Sequence, residues 1–151
     1  MIPPFDGNSG NLPAGMHTAS WEEIAERFGW TPRRRLLLDG LHEMLNDLRD
    51  VGCQRVWLDG SFTSRKEQPE DFDACFDTIG ISWEDLELLY PELLDTSNRR
   101  AAQKAKYGGE IFQADAVADI RHRRRFLDFF QRDKLTGAAK GVVEIDLGML
   151  L

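Results

Sequence analysis

The chain has 151 residues, 42% hydrophobic and 30% charged, with a formal net charge of −7. These values describe one globular domain large enough for a real core, and they exclude a global basic field for duplex DNA, so a nucleic-acid partner would need a local patch. Two cysteines, Cys53 and Cys75, are too few for a disulfide framework, which points to buried thiols in a reducing, cytoplasmic setting, and no apolar run approaches the ~20 residues of a membrane span.

Residues 1–16 are rich in Pro, Gly and Asn and read as an irregular arm ahead of one domain at 17–151. Ser20-Trp21-Glu22-Glu23 is a capping box, with serine at the cap and glutamate three residues on, and predicts a helix over 20–28 that Gly29 ends. Thr31-Pro32 opens a second helix running to about Asp50. Leu37, Leu41, Met44, Leu45 and Leu48 recur along it at three- and four-residue spacing, the mark of a core-packed face. Arg33, Arg34 and Arg35 fall in its first turn, where the helix dipole disfavours cations, and are expected to be solvated.

Gln54 to Leu58 reads as the first strand, turned by Gly60-Ser61. Glycine lets a ligand approach the backbone closely, and exposed amides beside it suit phosphate oxygens. A polar loop with Arg65 and Lys66 follows, then a second strand, Asp71-Phe72-Asp73-Ala74-Cys75-Phe76. Side chains alternate along a strand, so Asp71, Asp73 and Cys75 share one face and Phe72, Ala74 and Phe76 the other. Two ionised acids about 7 Å apart repel by roughly 2 kcal/mol at an effective dielectric near 20. A cation between them removes that cost, and hard carboxylate oxygens suit Mg²⁺ or Mn²⁺.

Short helices are predicted at 83–89, capped by Ser82, and at 98–106, ended by Gly108-Gly109. Glu110 to Val117 reads as a third strand, and 116–132 as a helix carrying the positive run Arg121-His122-Arg123-Arg124-Arg125. That run is either a contact for RNA or nucleotide phosphates or a solvated face paired with acids elsewhere. Gly141 to Leu147 reads as a last, solvent-facing edge strand, with Val143, Ile145 and Leu147 on one side and Glu144 and Asp146 on the other. His17, His42 and His122 have no ligand spacing and are read as surface residues. The pattern predicts an α+β fold: a small mixed sheet of about four strands with helices packed mainly on one face.

The stretch Val56-Trp57-Leu58-Asp59-Gly60-Ser61, a spacer, then Asp71-Phe72-Asp73-Ala74 resembles the signature of the DNA polymerase beta-like nucleotidyltransferase superfamily. The likeness is nearest to small minimal members of mobile elements and prophages. Leu12-Pro13-Ala14-Gly15-Met16-His17 and Lys140-Gly141-Val142-Val143 are similar to flanking pieces found there. The resemblance implies Asp71 and Asp73 as metal ligands and catalytic carboxylates, and a third acid from the next strand. Asp115 is the candidate, with Glu110 as the fallback and the polar side of the last strand also able to supply one. It implies phosphate contacts from the Gly60-Ser61 turn and from Lys140. Lys66 in the following loop is either a triphosphate contact or an ordinary polar loop residue, and Arg121, Arg123, Arg124 and Arg125 are the positive run's candidates for phosphate or RNA contacts.

The implied reaction moves a nucleoside monophosphate from an NTP to a hydroxyl of RNA (tRNA included), a protein or a small molecule, with Mg²⁺ or Mn²⁺. A toxin–antitoxin or defence setting with a cognate antitoxin protein is the implied context. One competing reading is a catalytically inactive module of the same fold, with a binding or regulatory, antitoxin-like role. Another is a metal-dependent phosphohydrolase using the same acids. The sequence carries no P-loop, no Gly-x-Gly-x-x-Gly, no paired-cysteine zinc motif and no nucleophile elbow.

Overall fold

A computed structural model describes residues 1–150. Five strands form a mixed sheet in the order β1-β7-β2-β3-β4: β1 (Gly15–Thr18), β2 (Arg55–Asp59), β3 (Phe72–Phe76), β4 (Gly109–Gln113) and β7 (Gly141–Asp146). β2 runs antiparallel to both neighbours, β3 and β7, while β1 lies parallel to β7 and β4 parallel to β3. The helices are α1 (Trp21–Phe28), α2 (Pro32–Asp50), α3 (Trp83–Leu89), α4 (Ser97–Tyr107) and α5 (Phe126–Phe130), and a two-stranded ribbon joins β5 (Val117–Asp119) to β6 (Arg124–Arg125). The α+β class is therefore observed, with one strand more than the sequence suggested.

Strand alternation divides the core in two. Val56, Leu58, Phe72, Ala74, Phe76, Ile111, Val143 and Ile145 face α2 and its neighbours in one apolar cluster. Trp57, Cys75, Ala114, Phe130 and Val142 form a smaller cluster on the opposite side, joined by Phe112, Phe126, Leu127 and Phe129. The caps work as their sequences indicate: Ser20 accepts from the Glu23 amide, Thr31 from Arg34, and Ser82 from Asp85. At Gly40 a Cβ would stand 1.8 Å from the Tyr107 carbonyl oxygen, so only glycine lets α2 and α4 meet.

Several expectations are corrected. Residues 116–132 are not one helix. The chain leaves β4 in a turn, makes the β5–β6 ribbon, and becomes helical only at 126–130. Arg123 has φ +54, Asp119 accepts from the His122 amide and ring, and Phe126 N–H bonds the Ala116 carbonyl, so local polar bonds close a hairpin instead of a helix. The third strand stops at Gln113, four residues short of the expected end. The last strand is no edge: β7 lies between β1 and β2, Glu144 accepts from Trp57 Nε1 at 3.0 Å and Thr18 Oγ1 at 3.2 Å, and Asp146 caps the turn that follows.

The arm is packed as well. Ile2 and Leu12 are buried, Phe5 stacks near Phe28 and Trp30, and Gly15–Thr18 adds a strand. Of the three arginines expected in solvent, Arg34 is wholly buried.

Candidate active site

The site begins with the ladder register. Asp59 on β2 pairs with Asp73 on β3, and Asp73 pairs with Glu110 on β4, so three carboxylates form one row across adjacent strands. They point to the face opposite α2, where Cys75 and Phe112 also lie. Asp71 stands just before β3, near enough to Glu110 to feel its charge.

Cations hold the ends of the row. Lys140 Nζ lies 3.0 Å from Asp59 Oδ1, and Lys104 Nζ lies 3.0 Å from Glu110 Oε1. Among the described residues Asp73, at the centre, has no ion-pair partner. Burial first, then the charges of Asp71, Glu110 and Asp59, push its carboxyl up to about 7. Burial also raises Asp59 against the pull of Lys140, and raises Asp71 with help from Glu110.

Gly60 closes this arrangement. Its backbone, φ +84 and ψ −165, lies in a region that only glycine occupies readily, and a Cβ there would stand 2.4 Å from Asp73 Oδ2. Ser61–Thr63 then make one turn of 3₁₀ helix. Arg34 organises the loop from within. Its guanidinium donates to the carbonyls of Phe28, Phe62, Ser61, Ser64 and Lys66 and stacks 3.6 Å from the centre of the Trp30 ring. Burial lowers its pKa to about 10, so it remains charged at neutral pH. Arg33 adds bonds to the Pro69 and Glu70 carbonyls, fixing the entry to β3.

A cavity of about 160 Å³ is lined by Asp59, Asp73 and Glu110, by Phe112, Phe126, Phe129 and Phe130, and by Arg132, Lys134 and Lys140. Acids, aromatic rings and cations thus share one recess. Phe112 and Phe126 have ring centres 4.4 Å apart. A larger cavity, about 560 Å³, shares Asp71 and Lys104 and runs between α2 and α4 past Arg33 and Tyr107.

Arg100 stacks 3.9 Å from the centre of Phe112 and feels the charges of Glu110 and Asp73. It comes from a left-handed turn in which Asn98, Arg99 and Arg100 all have φ of +50 to +60.

Of the residues expected from the sequence, Asp71, Asp73, Gly60, Ser61 and Lys140 lie along this row or beside it. Glu110, the fallback third acid, is in the row. Asp115 is not: it lies exposed in the turn after β4, and its carbonyl accepts a bond from Arg125. Lys66 is exposed and meets the loop through its backbone carbonyl, with its side chain outside the acid cavity. Arg121 and Arg123 are exposed around the ribbon turn, while Arg124 and Arg132 line a neighbouring groove of about 440 Å³. Asp59, Arg34 and Arg100 were missed. The direct neighbour of Gly60-Ser61 on an apolar strand was the available signal for Asp59.

A family model described as a family of unknown function, DUF6932, matches residues 3–146. The chain belongs to the DUF6932 family. No curated protein and no solved structure matches it. The DUF6932 match takes in Arg34, Gly60, the whole acid row and Lys140.

Among the described residues no three His, Cys, Asp or Glu side chains already stand at metal-binding distance. The donor chemistry nevertheless fits a hard divalent ion. Mg²⁺ keeps several waters and takes only one or two protein carboxylates, and Asp73 has a free carboxylate beside Asp71 and against a glycine with no room for a side chain.

Proposed function

We propose that this protein is a metal-dependent nucleotidyltransferase, moving a nucleoside monophosphate from an NTP to a hydroxyl acceptor with pyrophosphate as the other product. The observation that carries this reading is the contact between the Gly60 turn and the Asp73 carboxylate, set in a row of acids on adjacent strands. Such a turn presents backbone to phosphate beside the acids that hold the cation. Asp71 and Asp73 would hold Mg²⁺ or Mn²⁺, with Glu110 completing the set. The bound ion supplies Lewis-acid polarisation of the α-phosphate and neutralises charge on the triphosphate.

The protein groups do the rest. Gly60 and Ser61 orient the terminal phosphates, and Arg34 fixes the loop that carries them. Lys140 and Arg100 add positive charge beside the row, where the leaving pyrophosphate needs it. The acceptor oxygen forms the new bond to the α-phosphorus, and the α–β bridging oxygen departs with the bonding pair. The acceptor proton passes to Asp71, the partly exposed acid, and on to water. The aromatic side of the cavity, Phe112 with Phe126, offers a surface for a base. The arginines of the β5–β6 ribbon support an RNA acceptor, tRNA included. A protein or small-molecule hydroxyl remains within the same chemistry, as does a cytoplasmic toxin–antitoxin or defence setting.

One observation favours a second reading, a non-catalytic module of the same fold: Lys140 and Lys104 already engage Asp59 and Glu110. The test that separates the two is a screen of the four α-labelled NTPs with Mg²⁺ against total RNA and against the protein itself. An enzyme transfers label from at least one NTP, and Asp71→Asn with Asp73→Asn abolishes transfer. Equal labelling by wild type and the double variant would refute the site, and no labelling with any NTP would leave the binding module as the better reading.

A further inference from the structure

The acid row carries a cation of its own. Lys140 and Asp59 pair at 3.0 Å with side chains only 14% and 7% exposed, unlike the open surface position of Lys66. The segment that delivers the lysine is fixed on both sides: Lys140 N–H donates to Gln131 at 2.8 Å, and Gly141 N–H donates to Leu12 at 3.0 Å. Asp59 is the register partner of Asp73. The ammonium therefore sits at the β2 end of the row, one strand away from the free carboxylate.

A reaction run with two ions needs both about 4 Å apart, bridged by shared acids. On the Asp59 side that place is contested, because a divalent ion and a buried ammonium repel strongly at such range in a poorly solvated recess. On the Glu110 side Lys104 makes the same kind of contact, but its side chain is 37% exposed and can swing away into solvent. The two lysines differ in the same sense as their surroundings: one is built in, the other lies at an open edge.

We propose that the Lys140 ammonium, clamped by Asp59, stands where a two-ion site would hold its second cation, so that this site takes one divalent ion per chain. The inference rests on the nucleotidyl-transfer reading and assigns roles within it. Lys140 meets the nucleotide phosphates, and Asp59 is a positioning residue that acts only through Lys140.

The test is a Mn²⁺ titration of the full chain, equimolar with an α,β-methylene NTP and carried past two equivalents per chain, with bound ions counted and their spectra recorded by electron paramagnetic resonance. The wild type should bind one Mn²⁺ per chain and give the six-line spectrum of an isolated ion. Lys140→Ala, which frees Asp59, should bind two and show the exchange coupling of a close pair, and Lys140→Arg should return the count to one. A coupled pair in the wild type would overturn the inference, as would Lys140→Ala remaining at one ion while folded by circular dichroism. The wild-type count stands as a test even if Lys140→Ala does not fold. Absence of any bound Mn²⁺ in the wild-type complex would refute the nucleotidyl-transfer reading as well, whereas two ions would refute only the single-ion count.

Discussion

Gly60 has no room for a side chain. Its φ and ψ belong to a region that costs other residues about 1–3 kcal/mol, before the collision with Asp73 is counted. Gly60→Ala should therefore lower unfolding free energy by at least that amount in urea denaturation and weaken metal binding together with it. Asp73 gives a pH signature with a definite sign. Its folded-state pKa, about 7, lies above the ordinary 3.8, so the metal-free protein loses this group's contribution as pH rises through 7, and holds it fully below about 4. Asp73→Asn should be more stable than the metal-free wild type at pH 8 by on the order of a few kcal/mol, with the gap closing toward pH 4. Thermal melts across that range check it, and a gap that widens on acidification would contradict the assignment. Asp59 and Asp71 shift in the same direction, so the wild-type slope exceeds what Asp73 alone contributes.

At the scale of elements, the loop between β2 and β3 is held by a buried cation. The buried Arg34 donates to five carbonyls of the loop and its flanks. Arg34→Met should destabilise by at least about 1–3 kcal/mol, the cost of one buried carbonyl left without its donor, and should speed amide exchange across 60–66 ahead of the rest of the sheet. The left-handed turn at the start of α4 makes an opposite prediction. Arg99 is exposed at φ +55, so Arg99→Gly should raise stability by roughly 0.5–1 kcal/mol, where glycine in an ordinary helix lowers it by a similar amount.

The same elements show what could be read beforehand. The capped helices α1, α2 and α3 and the Asp71–Phe76 alternation were legible because cap chemistry and apolar spacing act locally. The ribbon at 117–125 was not, because apolar residues at helical spacing outvoted one Asp119–His122 pair that closes a turn. β1 was missed because Gly15–Thr18 has little apolar pattern, and its strand state comes from the ladder with β7. Arg34 was misplaced for a related reason. A helix-start arginine looks solvated until the loop whose carbonyls it binds is known.

For the whole molecule, the acid face and the segment that covers it carry opposite charge. Asp59, Asp71, Asp73 and Glu110 lie on the sheet, while Arg124, Arg132, Lys134 and Lys140 come from the stretch folded over it. A protein of net charge −7 has thus gathered cations beside its acidic recess, which suits a ligand that brings both a metal ion and phosphates. Glu110 belongs to the row only because β4 pairs in register with β3, a fact of topology; the expected Asp115 lies past the strand's end, where its side chain has no sheet to direct it. The two apolar clusters build the fold without an ion, so chelation with EDTA should leave the circular dichroism spectrum unchanged, while Mg²⁺ with an NTP should raise the melting temperature.

The most direct test is calorimetric titration of wild type and Asp73→Asn with an α,β-methylene NTP, with and without Mg²⁺. The account predicts binding that requires Mg²⁺ and is lost in Asp73→Asn. Binding of equal strength without the ion, or undiminished in the variant, would contradict it.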